Sequence, residues 1–455
     1  MRNHAPARRA GLLFDYEWDA QAHAAMGRAW QFDRAGFDLF SFPSNARLIG
    51  FDLERFAAQQ VSRARQRGWA GVLSHHEQFG ALAAALVAEA AGLPGPRPEA
   101  IIACQHKLHA RRVLDAVAPE ANLAYAPLDA AYGDDIPDGL AYPAYVKPVK
   151  AAFSVLAARV NHRAQLQAHT RFGWRELWVI RRLVEPFERV ARQRLPEAGT
   201  AHRLMLEAPV QAPQYNLDGY VHRGQLHMIG VVDAVMYPGT QAFMRWELPS
   251  RLDPAVQARA ADVARRFLAA VGFDDGVFNM EFFHDPVTDK LTVIEFNPRL
   301  ASQFGDLYRR VLGIDPHAIA LALATGDDPA RLPRAVPQEG AAASFVYRSF
   351  DPAVVPAMPT WSQRRRLAAE FPDSLLLQFP KRGHALARDF KWLGNHRYGI
   401  VHLGGRDWGH LQRRCLEASA VLGWPAPLHH DPERPRRSEV LPLRVQPAFA
   451  GAAGT

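Results

Sequence analysis

The sequence predicts an α/β (α+β) protein built from several packed units, and three observations carry that prediction. The chain has 455 residues, which is longer than one ordinary hydrophobic core supports. Apolar residues make up 48% and charged residues 22%, as in an ordinary globular protein. Strand-like and helix-like apolar patterns alternate along the first hundred residues, which is typical of α/β units.

The first unit is predicted from four segments in order. Residues 10–14 (AGLLF) indicate a buried strand and residues 53–67 a helix. Residues 71–74 indicate a second strand, and residues 77–91 a second helix that ends at Gly92. We therefore expect an N-terminal α/β domain over residues 1–100.

The remaining chain divides at a Pro- and Gly-containing stretch, residues 331–340. Before it we predict a domain of two subdomains over residues 101–330, and after it an α+β domain over residues 331–430. The Pro- and Arg-rich residues 431–455 are predicted to be disordered. The elements predicted in the second domain are helices at 105–117 and 254–271 and strands at 142–147, 177–186, 204–207, 215–221, 225–233, 277–283 and 291–296.

Composition excludes several classes of protein. No apolar run reaches the roughly 18 residues that a membrane span needs. The formal charge is +8, but the arginines are dispersed and form no basic block with interleaved aromatics, so nucleic acid is not expected as a partner. The basic N-terminus lacks a following apolar segment, and Cys104 and Cys415 are the only cysteines. Both features favour a cytoplasmic protein without a disulfide framework.

Lysine is rare in this chain, because only six of the 54 basic residues are lysine. Arginine has been used almost everywhere that a surface positive charge would serve. A lysine in such a chain therefore indicates a position where a compact ammonium group matters. The six are Lys107, Lys147, Lys150, Lys290, Lys381 and Lys391.

Two carboxylates lie on the strands that flank a predicted turn at residues 285–289. Alternation of side chains places Glu281 on one face of the first strand and Glu295 on one face of the second. If His284 opposes Lys290, the two carboxylates lie diagonally across from each other on the same face. Like charges this close repel and destabilise the hairpin unless a cation neutralises them.

A hard cation suits this pair of strands. Mg²⁺ takes one or two protein carboxylates and completes its shell with phosphate and water oxygens. Asn297 offers a neutral amide oxygen beside Glu295, and Arg299 offers a planar fork for phosphate or carboxylate. The alternative is a solvated hairpin face, although the Phe, Val, Ile and Met content of both strands argues for covered faces. The segment His75-His76-Glu77 is interpreted as a helix start rather than as a metal cluster.

Residues 293–299 (VIEFNPR) resemble the metal signature E-x-N-P-R of the ATP-grasp superfamily, carboxylate-amine ligase type. Glu281 matches the first acidic ligand of that family. The resemblance covers residues 70–330 and implies an ATP-grasp fold with an N-terminal pre-ATP-grasp domain and a small C-terminal α+β domain. It also implies that Glu281, Glu295 and Asn297 bind Mg²⁺, with Mn²⁺ as an alternative, on the phosphates of ATP. Arg299 would contact the transferred phosphate or the acyl phosphate.

Two lysines follow the family order. Residues 104–108 (CQHKL) resemble the start of the helix that carries the first ATP lysine, with His106 where the family has Asp. Residues 142–148 (YPAYVKP) resemble the strand that ends in the second. The resemblance implies that Lys107 and Lys147 contact the phosphates and that Lys147 is catalytic together with Arg299.

Further matches concern the base and the ribose of ATP. Residues 204–210 (LMLEAPV) resemble the hinge that holds adenine, which implies base contacts from Glu207 and from the backbone of Ala208 and Val210. Asn216 falls where ribose- and phosphate-side contacts occur. The loop after Lys147 contains no glycine, whereas the family loop is Gly-rich, so that Lys150 and Ser154 are the candidates for covering the phosphates.

The implied activity is an ADP-forming ligase. It would convert a small-molecule carboxylate to an acyl phosphate and pass the acyl group to an amine, giving an amide or peptide bond. Phosphoryl transfer of this kind needs positioning and charge neutralisation more than a covalent nucleophile. Two alternatives remain open: a biotin-carboxylase-like enzyme, and a non-catalytic ATP-binding protein. Dimers are common among similar enzymes, so a homodimer is compatible with the resemblance.

Overall fold

The computed structural model describes residues 7–27, 29–39, 44–151 and 156–428. Its N-terminal part is a three-stranded parallel sheet, in the order β2-β1-β3, flanked by helices. The strand-helix-strand-helix pattern predicted from the sequence is confirmed here. The elements are β1 (Arg8–Leu13), α1 (Glu17–Ala25), β2 (Trp30–Ala35), α2 (Leu53–Arg67), β3 (Gly71–Leu73), α3 (Gly80–Ala91) and α4 (Pro98–Gln105).

A four-stranded antiparallel sheet follows, in the order β4-β7-β5-β6. Two helices lie between its third and fourth strands along the chain. The elements are α5 (Lys107–Val117), β4 (Tyr125–Leu128), β5 (Ala144–Pro148), β6 (Ala158–Val160), α6 (Arg163–Thr170), α7 (Trp174–Arg194) and β7 (Leu204–Glu207).

The strand predicted at residues 177–186 is wrong, because this segment lies inside α7. Its buried side chains include Ile180, Val184 and Phe187, which recur at the three- and four-residue spacing of one helix face. Arginines and a glutamate occupy the turns between them. A short apolar run is consistent with a strand or a helix. Here the charged residues between the apolar positions favour the helix.

An eight-stranded antiparallel sheet forms the rest of the molecule, in the order β12-β11-β8-β9-β10-β13-β15-β14. The predicted hairpin of residues 215–233 and the hairpin around residues 285–289 are both present. The elements are β8 (Gln214–His222), β9 (Gln225–Met236), β10 (Phe243–Leu248), α8 (Pro254–Ala270), β11 (Gly276–Asp285), β12 (Lys290–Asn297), α9 (Gly305–Leu312), α10 (Pro316–Ala324), β13 (Ala341–Ser349), α11 (Trp361–Glu370), β14 (Leu375–Gln378), α12 (Gly383–Leu393), β15 (His396–Gly405) and α13 (Trp408–Leu422).

The strands that follow residue 331 extend this large sheet, because β13 pairs with β10. One hydrophobic core lies under the N-terminal helices and reaches β8, β11 and β12. A second lies between the other face of the sheet and the helices α9 and α10. The three strands β8, β11 and β12 are therefore held firmly at one end of the sheet. None of the described helices combines the length and the hydropathy that crossing a membrane requires.

Candidate active site

Polar side chains form a row across the three strands at that end of the sheet. In the β11–β12 ladder, Glu281 lies directly opposite Glu295, and Asn279 lies opposite Asn297. In the β8–β11 ladder, Asn216 lies opposite Glu281. Because every second residue faces the same side of a strand, these groups share one face. Two carboxylates and three amides thus meet on one face of the sheet.

The register differs from the one predicted, in which His284 opposed Lys290. Lys290 instead pairs with Asp285, and a bulge next to Phe282 takes up the extra residue. Glu281 and Glu295 therefore face each other directly rather than diagonally. Bulges frequently re-aim a side chain beside an active site, and this one brings the two carboxylates together.

The charges around the two carboxylates are asymmetric. Lys107 Nζ lies 2.7 Å from Glu295 Oε2. Gln214 Nε2 donates to Glu281 Oε2 at 2.9 Å. Burial and the neighbouring Glu295 raise the pKa of Glu281. Burial acts in the same sense on Glu295, but Lys107 outweighs it and holds the pKa of Glu295 below its usual range. Among the described residues, Lys107 is the cation in contact with the pair, while the charges of Arg299 and Lys147 act on it from further away. A divalent cation bound to both carboxylates would favour their ionised forms.

The amides link the carboxylates to a buried aspartate. Asn279 Nδ2 donates to Asp218 Oδ1 at 3.1 Å, and Asn297 Nδ2 lies 3.3 Å from Asn279 Oδ1. Tyr308 donates its hydroxyl to Asp218 Oδ2 at 2.8 Å. Burial raises the pKa of Asp218 to about 7. The hydrogen bonds orient Asn297, so that its amide group is fixed beside Glu281.

Arg299 follows this row and is anchored to the N-terminal part of the molecule. Its Nη2 donates to Glu77 Oε2 at 2.6 Å. Glu77 lies between β3 and α3. The side chain of Arg299 is 14% exposed and that of Glu77 is 6% exposed. A buried pair with this geometry holds the guanidinium in one orientation. The resemblance attaches a phosphate contact to Arg299 but did not identify Glu77 as its partner.

Three lysines contact groups on three different parts of the molecule. Lys107 is the first residue of α5 and reaches Glu295 on the large sheet. Lys147 lies on β5 of the small sheet and pairs with Glu207 Oε1 at 2.7 Å. Lys150 is fully buried, donates to the carbonyl of Glu77 at 3.2 Å, and has its pKa lowered to about 7 by burial. Three of the six lysines thus lie in the region where the two sheets approach each other.

Arg111 is a site residue that the sequence reasoning missed. It is 2% exposed and lies one turn after Lys107 on α5. Its guanidinium donates to Glu207 Oε1 at 2.8 Å and to the carbonyls of Val293 and Ile294 at 2.7 and 2.8 Å. These two carbonyls belong to the bulged part of β12. Arg111 therefore links the small sheet directly to the strand that carries Glu295.

The hinge residues have partly different contacts from those expected. The Glu207 side chain is occupied by Lys147 and Arg111, so only its backbone is available to a base. The Ala208 N–H donates to the Ala124 carbonyl at 2.8 Å, which leaves the Ala208 carbonyl. Val210 is half-buried beyond the end of β7.

The remaining cofactor-binding candidates lie elsewhere. Asn216 lies beside the carboxylates rather than at the hinge. Ser154 lies outside the described residues. The structure thus brings Lys107, Glu281, Glu295 and Asn297 into one cluster, and it joins Lys147 to the hinge through Glu207.

Comparison with known sequences gives partial matches, and no family model matches the chain. The carbamoyl phosphate synthase large chain of Pseudothermotoga lettingae is 33% identical over 112 residues, which are 24% of this chain and 10% of that protein. The uncharacterized protein y4rH of Sinorhizobium fredii is 28% identical over 234 residues, 51% of this chain and 44% of that protein. The matches therefore span less than half the length of these curated relatives.

Solved structures match over almost the whole chain. The L-amino acid ligase of Bacillus licheniformis has a TM-score of 0.64 at 14% identity, covering 92% of this chain and 98% of that one. The N5-carboxyaminoimidazole ribonucleotide synthetase of Thermus thermophilus has a TM-score of 0.58 at 18% identity, covering 91% and 99%. The biotin carboxylase of Campylobacter jejuni has a TM-score of 0.56 at 14% identity, covering 91% of each chain.

These likenesses show the class of fold. The chain has the ATP-grasp fold, as the resemblance of residues 293–299 implied. These neighbours are a ligase, a carboxylase and a synthetase, and because the identities are 18% or lower, the likeness shows the fold alone.

Proposed function

We propose that this protein is an ATP- and Mg²⁺-dependent, ADP-forming ligase that activates a small-molecule carboxylate and transfers it to an amine. The observation that carries the proposal is the direct opposition of Glu281 and Glu295 beside the oriented amide of Asn297, with Lys107 and Arg299 nearby. Carboxylate and amide oxygens form the ligand set that Mg²⁺ prefers. Of the described residues, Lys107 alone forms an ion pair with either carboxylate, so a divalent cation fits the charge of the pair.

Each residue has a role in this proposal. Glu281, Glu295 and Asn297 would hold Mg²⁺, which would neutralise phosphate charge when bound. Lys107 would be released from Glu295 when Mg²⁺ binds, and its ammonium group would then contact the phosphates. Lys147 stays aligned by Glu207 and supplies a second ammonium group. The backbone of Glu207, Ala208 and Val210 would hold the adenine.

Arg299 is assigned to the reacting carboxylate. A guanidinium fork binds a carboxylate or an acyl phosphate through two parallel hydrogen bonds. Arg299 Nη2 already donates to Glu77, so the guanidinium is aligned before substrate binds. The γ-phosphate passes to the substrate carboxylate to give an acyl phosphate and ADP, and the amine then attacks the acyl carbon and releases phosphate. Positioning and charge neutralisation suffice for both steps, so that no covalent nucleophile is required.

The test is ADP and phosphate release from the purified chain with Mg²⁺ across pools of amino acids and other carboxylates and amines. We expect one pool to stimulate release, and we expect Glu295→Gln to lower the rate by about 100-fold or more. Asp289→Asn is the matched control. It changes an exposed carboxylate on the same hairpin, and Asn accepts the positive φ of 53° found there.

The outcomes separate the competing functions. Release that depends on bicarbonate and free biotin would favour a carboxylase instead. Bound ATP without turnover in any pool would favour a non-catalytic ATP-binding protein. If Glu295→Gln turned over as fast as the wild type, the metal-ligand assignment would be wrong.

A further inference from the structure

Three histidines and an aspartate form a buried cluster behind the candidate active site. Asp19 and His23 are one helical turn apart on α1, His75 follows β3, and His317 lies at the start of α10. Their exposed fractions are 0%, 2%, 4% and 2%. An i, i+4 pair on a helix places two ligands on one face, as in known metal-binding helices. Residues from three separate segments converge here without any role in the chemistry proposed above.

The distances suit a single ion. Ligand atoms of Asp19, His75 and His317 all lie within 4.8 Å of one another. The ring centroids are 5.4 Å apart for His75 and His317, 5.9 Å for His23 and His75, and 5.7 Å for His23 and His317. Imidazoles bound tetrahedrally to one Zn²⁺ have ring centroids about 5 Å apart, given metal–nitrogen bonds of about 2 Å. His23 lies outside the set of ligand atoms within 4.8 Å of one another, so its ring has to move toward the other three residues to complete a tetrahedral arrangement.

His75 has no partner that would explain its burial. Neither of its ring nitrogens has a hydrogen bond to any described residue. A buried polar group without a partner destabilises the folded state. Asp19, by contrast, is hydrogen bonded to His317 Nε2 at 2.8 Å. The unpartnered imidazole of His75 beside the hydrogen-bonded carboxylate of Asp19 therefore points to an ion bound between the two side chains.

We propose that Asp19, His75 and His317, with His23 as the fourth ligand, form a buried site for a zinc-type divalent transition-metal ion, separate from the carboxylate pair on the large sheet. Imidazole selects zinc, cobalt, nickel or copper over magnesium. Asp15 Oδ1 lies 3.3 Å from His23 Nδ1, which is the carboxylate–histidine arrangement found behind metal ligands.

The ion would act as a cross-link next to the active site. It joins α1, the segment after β3 and α10, which are distant along the chain. His75 lies two residues before Glu77, the partner of Arg299. The ion would thus hold in place the segment that aligns Arg299. His76 is not part of the site, because its Nδ1 faces the backbone N–H of Phe79 at 3.4 Å.

The experiment is a Co²⁺ titration of the full-length chain after removal of metals with a chelator, without ATP. The probes are visible d–d absorption and zinc content by mass spectrometry. We expect one Co²⁺ per chain with a tetrahedral spectrum, displaced by Zn²⁺, and a rise in Tm when Zn²⁺ is added to the wild type. His75→Gln should lower the affinity by about 100-fold. His402→Gln should leave the affinity unchanged. It is the matched control because His402 is 1% exposed and lies 3.5 Å from Asp306.

Two results would overturn the proposal. The first is a wild-type chain that shows neither the d–d absorption nor a change in Tm with equimolar metal, which would make the cluster a water-filled or hydrogen-bonded group. The second is zinc that is lost in Glu295→Gln but kept in His75→Gln, which would place the ion at the carboxylate pair. The wild-type titration decides the question even if a variant fails to fold.

Discussion

The orientation of Arg299 depends on Glu77, which lies 222 positions away in the chain. A change of one atom in the Glu77 side chain tests this dependence. Glu77→Gln keeps the shape of the side chain but removes the charge that Arg299 Nη2 contacts at 2.6 Å. We expect kcat to fall about tenfold or more, because the guanidinium is no longer held in one orientation, with a loss of about 3 kcal/mol in unfolding free energy. Steady-state kinetics and urea unfolding measure the two effects.

The control for this change separates positioning from stability. Glu89→Gln removes a carboxylate in the same α3 region that pairs with the exposed Arg194. It should cost under about 1 kcal/mol and leave kcat unaltered. If Glu77→Gln lost stability but kept the wild-type kcat, Glu77 would be only a structural partner of Arg299.

At this scale the sequence predicted the chemistry of the residues better than their contacts. Glu281, Glu295 and Asn297 were identified as one group because they follow a strand pattern within twenty residues, and they do lie together. Glu77 and Arg111 were missed as partners, since local spacing carries no information about contacts across 222 and 182 positions. The metal and phosphate roles of the residues remain predictions.

The bulge in β12 is the element that fixes the geometry of the site. It places Glu295 opposite Glu281 and leaves the carbonyls of Val293 and Ile294 to be bound by Arg111. The turn shifts the predicted register by one residue and the bulge shifts it by a second, so Glu281 pairs with Glu295 and not with Val293. A bulge has no strict sequence signal, which is why its shift was not predicted. The prediction of a strand within α7 was wrong for a related reason. The apolar residues of a short run fit either a helix or a strand, and only the positions of the charged residues between them distinguish the two.

Arg111→Met tests the importance of this link between elements. The change leaves Glu207 with one cation and two buried carbonyls without a donor. We expect the unfolding free energy to fall by about 3–5 kcal/mol, the usual effect of breaking a buried ion pair. Arg112→Met, on the exposed side of the same helix, should cost under about 1 kcal/mol. Urea unfolding of both variants measures the difference, and equal losses would contradict the role given to Arg111.

The whole molecule is joined through its large sheet rather than by linkers. Segment order and fold class could be predicted from the sequence, because the alternation of elements and the motif at residues 293–299 are local. The extension of the sheet by β13, β14 and β15 could not, since strand pairing across the boundary at residues 331–340 depends on long-range packing. The division at that boundary therefore remains a prediction about folding units.

Asp306 connects the two sides of that boundary, and its charge makes the connection dependent on pH. It lies at the start of α9, 2.7 Å from Arg310 Nε and 3.5 Å from His402 Nδ1 on β15. Burial acts to raise its pKa, but His402 and Arg310 outweigh it and hold the pKa well below the usual range. A carboxylate with a depressed folded-state pKa stabilises the protein above its unfolded pKa of about 4 and loses that contribution as the pH falls further.

Asp306→Asn should therefore lower the unfolding free energy by about 2 kcal/mol at pH 7, and the difference from the wild type should narrow as the pH falls below about 4. Urea unfolding across this range measures both quantities. Asp262→Asn is the control, because Asp262 is an exposed carboxylate that pairs with two arginines, and the change should cost under about 1 kcal/mol at every pH. A difference for Asp306→Asn that stayed constant with pH would mean that lost packing, and not the ionised carboxylate, joins α9 to β15.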